Sequence, residues 1–226
     1  MSLSPLYIAL LPPKARNSYS KNSMSHDHYN SYFTQFGLPL HLHIDLAALE
    51  KNFYAQSRRL HPDRFAHLPK PAQEAALAAS SQLNDAYRTL RNPIARTEYL
   101  LALEGIQLEE QSRAATDLAK ASGTAKKQVA PPDLLEEAFE LNMALEEMKL
   151  DPDPNTRADL KAAREKFTAM LAEIQLQLES LWTAWDTAID ADDTPAKDAA
   201  KQAMVALLNR RSYVRNLVRD VNTALE

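Results

Sequence analysis

Glycine is scarce in this chain, and its placement strongly limits the folds available to the sequence. Only three glycines occur among 226 residues, at Gly37, Gly105 and Gly123, each beside a stretch that also resembles a boundary by pattern. Glycines placed in this way typically end helices. No segment shows the sustained period-two alternation, rich in Val, Ile and Thr, that predicts a half-buried strand. We therefore predict an all-α protein.

Residues 31–105 have the pattern of a small helical domain. It opens with a short aromatic turn at residues 32–38, and a helix then begins at Asp45, whose carboxylate can accept amide hydrogens of the first turn. That helix ends near His61, because the residue before a proline avoids the α region. Its predicted buried stripe comprises Leu46, Leu49, Phe53 and Leu60.

A second long helix follows the loop at residues 65–71 and is predicted to run antiparallel to the first. Its apolar positions recur at spacings of three and four: Ala76, Ala79, Leu83, Ala86 and Leu90. Asn92 followed by Pro93 is a start signal for a short third helix, which Gly105 ends.

Residues 106–130 are polar and predict a connector, whereas residues 131–226 predict an antiparallel bundle of three helices. Pro131 and Pro132 introduce the first of these helices, and the Asp-Pro repeat at 151–154 ends it. Thr194 and Pro195 start the last one. The apolar positions of the bundle pattern are Leu134, Leu135, Phe139, Leu141, Leu145, Leu160, Phe167, Leu171, Ile174, Leu178, Leu181, Trp185, Met204, Leu207, Val214, Leu217, Val221 and Leu225.

The composition excludes several kinds of chemistry. A net charge of −4 and a pI near 5.9 argue against a nucleic-acid-binding surface. The chain has no cysteine, so disulfides, thiolate zinc sites and thiolate ligation of an iron–sulfur cluster are excluded. No apolar run approaches the ~20 residues that cross a bilayer, so we expect no membrane contact.

Residues 1–30 are interpreted as a leader outside the folded part. The first 26 residues contain no acid and carry Lys14, Arg16 and Lys21, which is typical of organellar transit peptides. A disordered tail, or translation that starts at Met24, explains the same residues. We expect a cytoplasmic protein, or a protein of an organellar matrix if the leader is a transit peptide.

The tripeptide His61-Pro62-Asp63 is the sharpest functional signal. By itself it describes an ordinary turn between helices, with proline as the breaker and aspartate as a local cap. Its context is more specific, because the helix before it carries Lys51, Arg58 and Arg59 and the helix after it is rich in alanine.

With this context the sequence resembles a J-domain, and more narrowly the HscB co-chaperones. The resemblance covers roughly residues 31–226 and is strongest up to Gly105. It rests on Tyr32-Phe33, Phe36-Gly37-Leu38-Pro39, Leu60-His61-Pro62-Asp63-Arg64-Phe65, Leu83-Asn84-Asp85-Ala86-Tyr87-Arg88-Thr89-Leu90, Pro93, Arg96 and Glu98-Tyr99-Leu100-Leu101.

The resemblance implies one binding surface on the N-terminal domain. In the family, the tripeptide contacts an HscA-like ATPase chaperone of the 70-kDa heat-shock class and triggers ATP hydrolysis. The implied contact residues are His61, Pro62, Asp63, Lys51, Arg58, Arg59 and Arg64. The residues alone also fit a solvated charged helix face with no partner.

The resemblance implies a second binding surface on the bundle, for an IscU-type iron–sulfur scaffold. The matching positions are Leu135, Glu136, Phe139, Glu140, Met143 and Tyr213. Leu135, Phe139 and Met143 are spaced four apart and so share one helix face, which fits either a docking patch or buried core. Glu136 stands where related proteins tend to have an apolar residue.

We therefore expect a non-enzymatic adaptor with no cofactor, no metal and no nucleic-acid partner. Two other hypotheses are a general J-domain co-chaperone for unfolded clients and a metal-dependent hydrolase. The first lacks a Gly/Phe-rich linker and Cys-rich zinc modules. The second would use the histidine pairs His26/His28 and His41/His43, but no H-E-x-x-H motif accompanies them.

Overall fold

The computed structural model describes residues 31–106, 108, 131–151 and 153–226, and every regular element among them is helical. This confirms the predicted fold class. The described residues form two compact units. The first runs to Ile106 and adds Trp185–Thr194, and the second comprises the residues up to Ala184 together with Pro195–Glu226.

Up to Ile106, the described residues of the first unit form four α-helices and a single 3-10 turn. The α-helices are α1, Tyr32–Phe36; α2, Leu46–Leu60; α3, Lys70–Arg91; and α4, Pro93–Leu103. The 3-10 turn, Pro62–Phe65, lies between α2 and α3. The long helices α2 and α3 pack along each other and form the body of this unit.

Local sequence signals set the helix boundaries. Asp45 caps α2, since its carboxylate accepts the amide hydrogens of Ala47 and Ala48. Asn92 caps α4 in the same way, with Pro93 in the first turn. Gly37 follows α1 at a φ of 67°, a left-handed conformation that glycine adopts without strain.

The core of the first unit follows most of the predicted stripes, although Phe53 and Ala79 are only half-buried. Its buried apolar residues include Phe33, Phe36, Leu49, Leu60, Ala76, Leu83, Ala86, Leu90, Leu100 and Leu101. The prediction for Leu46 is wrong, because its side chain is 50% exposed. At about 100° per residue, Leu46 lies about 60° from Leu49, on the side away from Phe53 and Leu60, so it falls outside the buried stripe.

Residues 185–194 belong to the first unit, although the sequence placed them with the bundle. The indole nitrogen of Trp185 donates to the Leu40 carbonyl at 2.9 Å. The Asp186 carboxylate accepts the backbone amide hydrogens of Leu42 at 2.6 Å and His43 at 2.9 Å. These bonds hold the segment that precedes α2.

A buried arginine also holds this segment. Arg96 donates to the carbonyl oxygens of Leu42, at 2.9 Å, and Leu90, at 2.5 Å. Burial lowers the pKa of this guanidinium, and the negative charge of Asp186 opposes that shift. The Arg96 match to the family motif therefore reflects a structural role.

In the part that the structure describes, the second unit contains three long helices, one of which continues into the first unit at residues 185–190. A 3-10 turn, Pro132–Leu134, leads into α5, Leu135–Leu150. Helix α6 is Pro154–Asp190 and α7 is Thr194–Leu225. Buried apolar residues include Leu134, Ala138, Leu141, Leu160, Phe167, Ile174, Leu178, Trp182, Ala200, Met204, Leu208, Val214, Leu217 and Val221. Leu145, Leu171, Leu181, Leu207 and Leu225 are half-buried.

Polar contacts tie these helices together at their surfaces. Arg210 of α7 pairs with Asp133, just before α5, and this hydrogen bond lowers the pKa of the Asp133 carboxyl. Lys166 of α6 lies 3.4 Å from Glu137 of α5. Among the described residues, no helix is both long enough and apolar enough to cross a membrane.

Candidate functional site

The turn formed by His61-Pro62-Asp63, called the His61 turn below, is exposed to solvent. His61 ends α2 and also caps the 3-10 turn, whose first residue is Pro62. The amide of Arg64 donates to the His61 carbonyl at 3.0 Å, and His61 Nδ1 lies 3.3 Å from an Asp63 carboxylate oxygen. The side chains of His61 and Asp63 are 56% and 88% exposed. Both polar groups are therefore open to a partner.

The backbone of this turn is held in place by α3. The Gln73 side-chain amide donates to the carbonyl oxygens of Ala66, at 3.1 Å, and Leu68, at 2.8 Å. Phe65, the last residue of the 3-10 turn, is half-buried. Because the loop is fixed, a partner that binds it has little ordering entropy to overcome.

The preceding helix presents an exposed cationic surface. Lys51, Arg58 and Arg59 are all exposed, and within the described parts of the chain none of them forms an ion pair. Glu50 is the only acid on α2. Arg64 extends the positive charge into the turn. An unpaired cationic surface of this kind attracts an acidic partner.

The sequence prediction overlooked Tyr54 on this helix. Its side chain is 54% exposed, three residues after Lys51 and four before Arg58. That spacing puts the three side chains on one helix face. The same spacing could have identified Tyr54 from the sequence.

The predicted client patch is exposed on α5. Leu135, Phe139 and Met143 are 55%, 65% and 59% exposed, and Glu136 and Glu140 are exposed beside them. The interpretation of these three apolar residues as bundle core is therefore wrong. A contiguous apolar stripe that remains open to water is typical of a docking surface.

Tyr213 is only half-buried, and burial raises the pKa of its hydroxyl. It lies one helical turn beyond Arg210, the residue that pairs with Asp133 at the entrance to α5. This ion pair brings the middle of α7 close to the first turn of α5, where Leu135 and Glu136 lie.

His41 and His43 are each paired with a carboxylate. His41 Nε2 lies 3.0 Å from Asp190, and His43 Nδ1 lies 2.9 Å from Asp186. Both pairs support the packing of residues 185–194. His26 and His28 lie outside the described residues. In the described part of the chain, no group of three or more potential metal ligands comes together.

Two long helices joined by an exposed His-Pro-Asp turn, with a helical bundle following in the chain, define a J-domain co-chaperone as the class of protein. No protein-family model matches the chain. The co-chaperone protein HscB homologs of two Vibrio cholerae serotype O1 strains, classical Ogawa and El Tor Inaba, are each 36% identical over 159 residues, covering 68% of this chain and 84% of theirs.

Two solved structures of HscB proteins are also similar to this chain. The chaperone HscB from Vibrio cholerae aligns with a TM-score of 0.55 at 27% identity, covering 85% of this chain and 96% of that one. The human co-chaperone HscB aligns with a TM-score of 0.57 at 20% identity, over 95% and 89% of the two chains, and supports the fold. The chain belongs to the HscB family of co-chaperones, and its role is that of a J-domain co-chaperone in iron–sulfur cluster assembly.

Proposed function

We propose that this co-chaperone binds an HscA-like ATPase chaperone of the 70-kDa heat-shock class and stimulates its ATP hydrolysis. The observation that carries the proposal is the exposed His61-Pro62-Asp63 turn beside unpaired cations. The cations attract an acidic face of the chaperone and speed encounter. The Asp63 carboxylate then forms a charge-assisted hydrogen bond with a partner cation.

The shape of the turn supports a triggering role. Pro62 fixes the backbone, and the bonds from Gln73 hold the loop against α3, so His61 and Asp63 are presented in one arrangement. A preorganised loop can bind one conformation of a partner better than another, and differential binding is what shifts a conformational equilibrium. The ATPase-active conformation of the chaperone is the one that we propose is favoured.

We infer that the bundle carries an IscU-type iron–sulfur scaffold as client. Leu135, Phe139 and Met143 supply an apolar centre, and Glu136 and Glu140 supply a polar rim. We include Tyr213 as a flanking aromatic contact. The methionine adds an adaptable, polarisable surface. The cluster stays with the scaffold, because this chain has no cysteine with which to ligate it.

The protein then acts as an adaptor rather than an enzyme, and we propose that it does so in the cytoplasm. The test is single-turnover ATP hydrolysis by an HscA-like chaperone, measured with this protein alone, with an IscU-type scaffold alone, and with both. Hydrolysis should rise with this protein and rise further with both proteins present. The purified protein alone should hydrolyse no ATP. An unchanged turnover rate contradicts the proposal.

A binding comparison separates this function from a general role with unfolded clients. Calorimetric titration of the folded scaffold should show saturable binding, whereas a reduced, denatured protein of similar size should not bind. Equal affinity for both would favour the general co-chaperone.

A further inference from the structure

The aromatic side chain of Tyr54 has no role in the packing described so far, although it lies in the middle of the cationic face of α2. It is 54% exposed, and Lys51 and Arg58 lie one turn away on either side. Arg58 Nε donates to the carbonyl oxygen of Tyr54 at 3.3 Å, which folds the arginine stem back along the helix towards this residue. Tyr54 is thus an aromatic group set between two cations.

The exposed ring rests on an ordered aromatic support. Its centroid lies 5.5 Å from that of Phe53 at an interplanar angle of 56°. Phe53 in turn stacks on Tyr87 of α3, at 4.2 Å and 15°. Arg91 places its guanidinium carbon 5.9 Å from the centre of the Tyr87 ring. A large ring that is already held in place loses little conformational entropy when a partner covers it.

The charged residues around Tyr54 indicate the kind of partner that would cover its ring. Lys51, Arg58, Arg59 and Arg91 are exposed cations, and Glu50 is the single acid of α2. This face leads up to the His61 turn, since Arg58 lies three residues, about one helical turn, before His61. A partner with carboxylates around an apolar spot complements this surface in both charge and chemistry.

We propose that Tyr54 is an aromatic anchor for the ATPase chaperone, inserted into an acid-rimmed apolar spot on it. The inference rests on the proposed function and adds a contact residue to it. Exposed tyrosines are common, but central aromatic residues that are rigid and surrounded by polar groups dominate the binding energy of many interfaces. Here the cations steer the encounter, and the ring slows dissociation.

The test is the affinity of full-length variants for an HscA-like chaperone in its ATP-bound state, measured by calorimetry. Tyr54→Ala should weaken the Kd at least tenfold and Tyr54→Gln by a similar factor, whereas Tyr54→Phe should keep most of the affinity. Leu176→Ala is the matched control, because Leu176 is an exposed apolar side chain, 66% accessible, in the second unit. Its Kd should equal that of the wild type.

Salt dependence distinguishes the ring from its cationic neighbours. The loss from Tyr54→Ala should persist at 0.5 M salt, whereas the loss from Lys51→Ala should shrink there because screening already removes the charge interaction. Each affinity is corrected for the fraction of the variant that is folded, measured by circular dichroism. If Tyr54→Ala folds poorly, Tyr54→Gln tests the same loss of affinity. If the wild type fails to bind, the proposed function is wrong. If the wild type binds and Tyr54→Ala matches Leu176→Ala, only the anchor is wrong.

Discussion

In the first unit, some residues are exposed at the His61-Pro62-Asp63 turn, and others are buried and stabilise the fold. His61 and Asp63 are exposed and contribute few packing contacts, whereas Arg96 is buried and donates to the carbonyl oxygens of Leu42 and Leu90. Substitutions at the exposed pair should therefore change function without changing stability. Substitutions that remove a buried hydrogen bond should do the reverse.

His61→Gln and Asp63→Asn should each leave the protein folded and abolish stimulation of the chaperone. Both side chains are exposed, and substitutions at such positions usually change stability by less than about 0.5 kcal/mol. Urea unfolding checks the stability, and single-turnover ATP hydrolysis checks the function. Stimulation equal to that of wild type would contradict the role assigned to the turn.

Tyr99 should make stability depend on alkaline pH. Burial raises its pKa to about 12, and its hydroxyl oxygen accepts the Tyr32 amide hydrogen at 2.9 Å. The folded state keeps the Tyr99 proton while the unfolded chain loses it above pH ~10, so stability falls as pH rises from about 10 to 12. Urea unfolding at pH 8 and pH 10.5 measures this slope. Tyr99→Phe should have a shallower slope, and parallel slopes would contradict the assignment.

At the scale of helices, local signals determine where each element begins and ends. Asp45 and Asn92 were predicted as caps because capping depends only on the next few residues, and the hydrogen bonds confirm both. The His61 end of α2 was predicted for the same reason, since Pro62 restricts the residue before it.

Asn92→Ala should cost about 1 kcal/mol of unfolding free energy, because the amide hydrogens of Ile94 and Ala95 lose their acceptor. Asn52→Ala is the matched control, since Asn52 is exposed in the interior of α2, where alanine is a better helix former. The control should be neutral or slightly stabilising. Equal losses in denaturant melts of the two variants would show that the cap contributes nothing.

Burial could be predicted less completely than helix boundaries, because a small drift in helix phase changes which residue faces the core. Leu181 and Leu207 were predicted as core and are half-buried, whereas the following residues, Trp182 and Leu208, are buried. The spacing of three and four tolerates such a shift over a long helix. The assignment of Trp185–Thr194 to the first unit depends on hydrogen bonds across more than a hundred residues, which no local pattern reveals.

The candidate sites, too, could be predicted from the sequence only in part. The His61 turn was identifiable because its residues are consecutive and resemble a family motif. The client patch was named from the family resemblance, and spacing placed three of its residues on one helix face. Its exposure could not be predicted, because an apolar stripe in a sequence looks the same in a core and on a surface. Tyr54 was missed because aromatic residues on a helix usually pack inward.

In the molecule as a whole, the two proposed binding surfaces lie in different units. The His61 turn and the cations of α2 lie in the first unit, and the α5 patch lies in the second. The two functions should therefore be separable by mutation, since substitutions at sites that share no partners usually have additive effects.

Combined replacement of Phe139 and Tyr213 by Ala tests this separation. The double variant should lose a few kcal/mol of scaffold binding, as truncation of aromatic anchors commonly does. Phe139→Ala alone should melt like the wild type, because this side chain is 65% exposed. Leu176→Ala should bind the scaffold normally. If the double variant melts far below wild type, or binds the scaffold undiminished, the client site is wrong.

The central claim is tested most directly by single-turnover ATP hydrolysis of an HscA-like chaperone, measured with and without scaffold for three proteins: wild type, His61→Gln, and the Phe139/Tyr213 double variant. We predict that the double variant stimulates hydrolysis like wild type without scaffold but loses the additional stimulation that scaffold gives, and that His61→Gln gives none in either condition. Two results would contradict an adaptor with two separate binding surfaces. One is that the double variant with scaffold stimulates hydrolysis as much as wild type with scaffold, and the other is that His61→Gln stimulates hydrolysis as much as wild type.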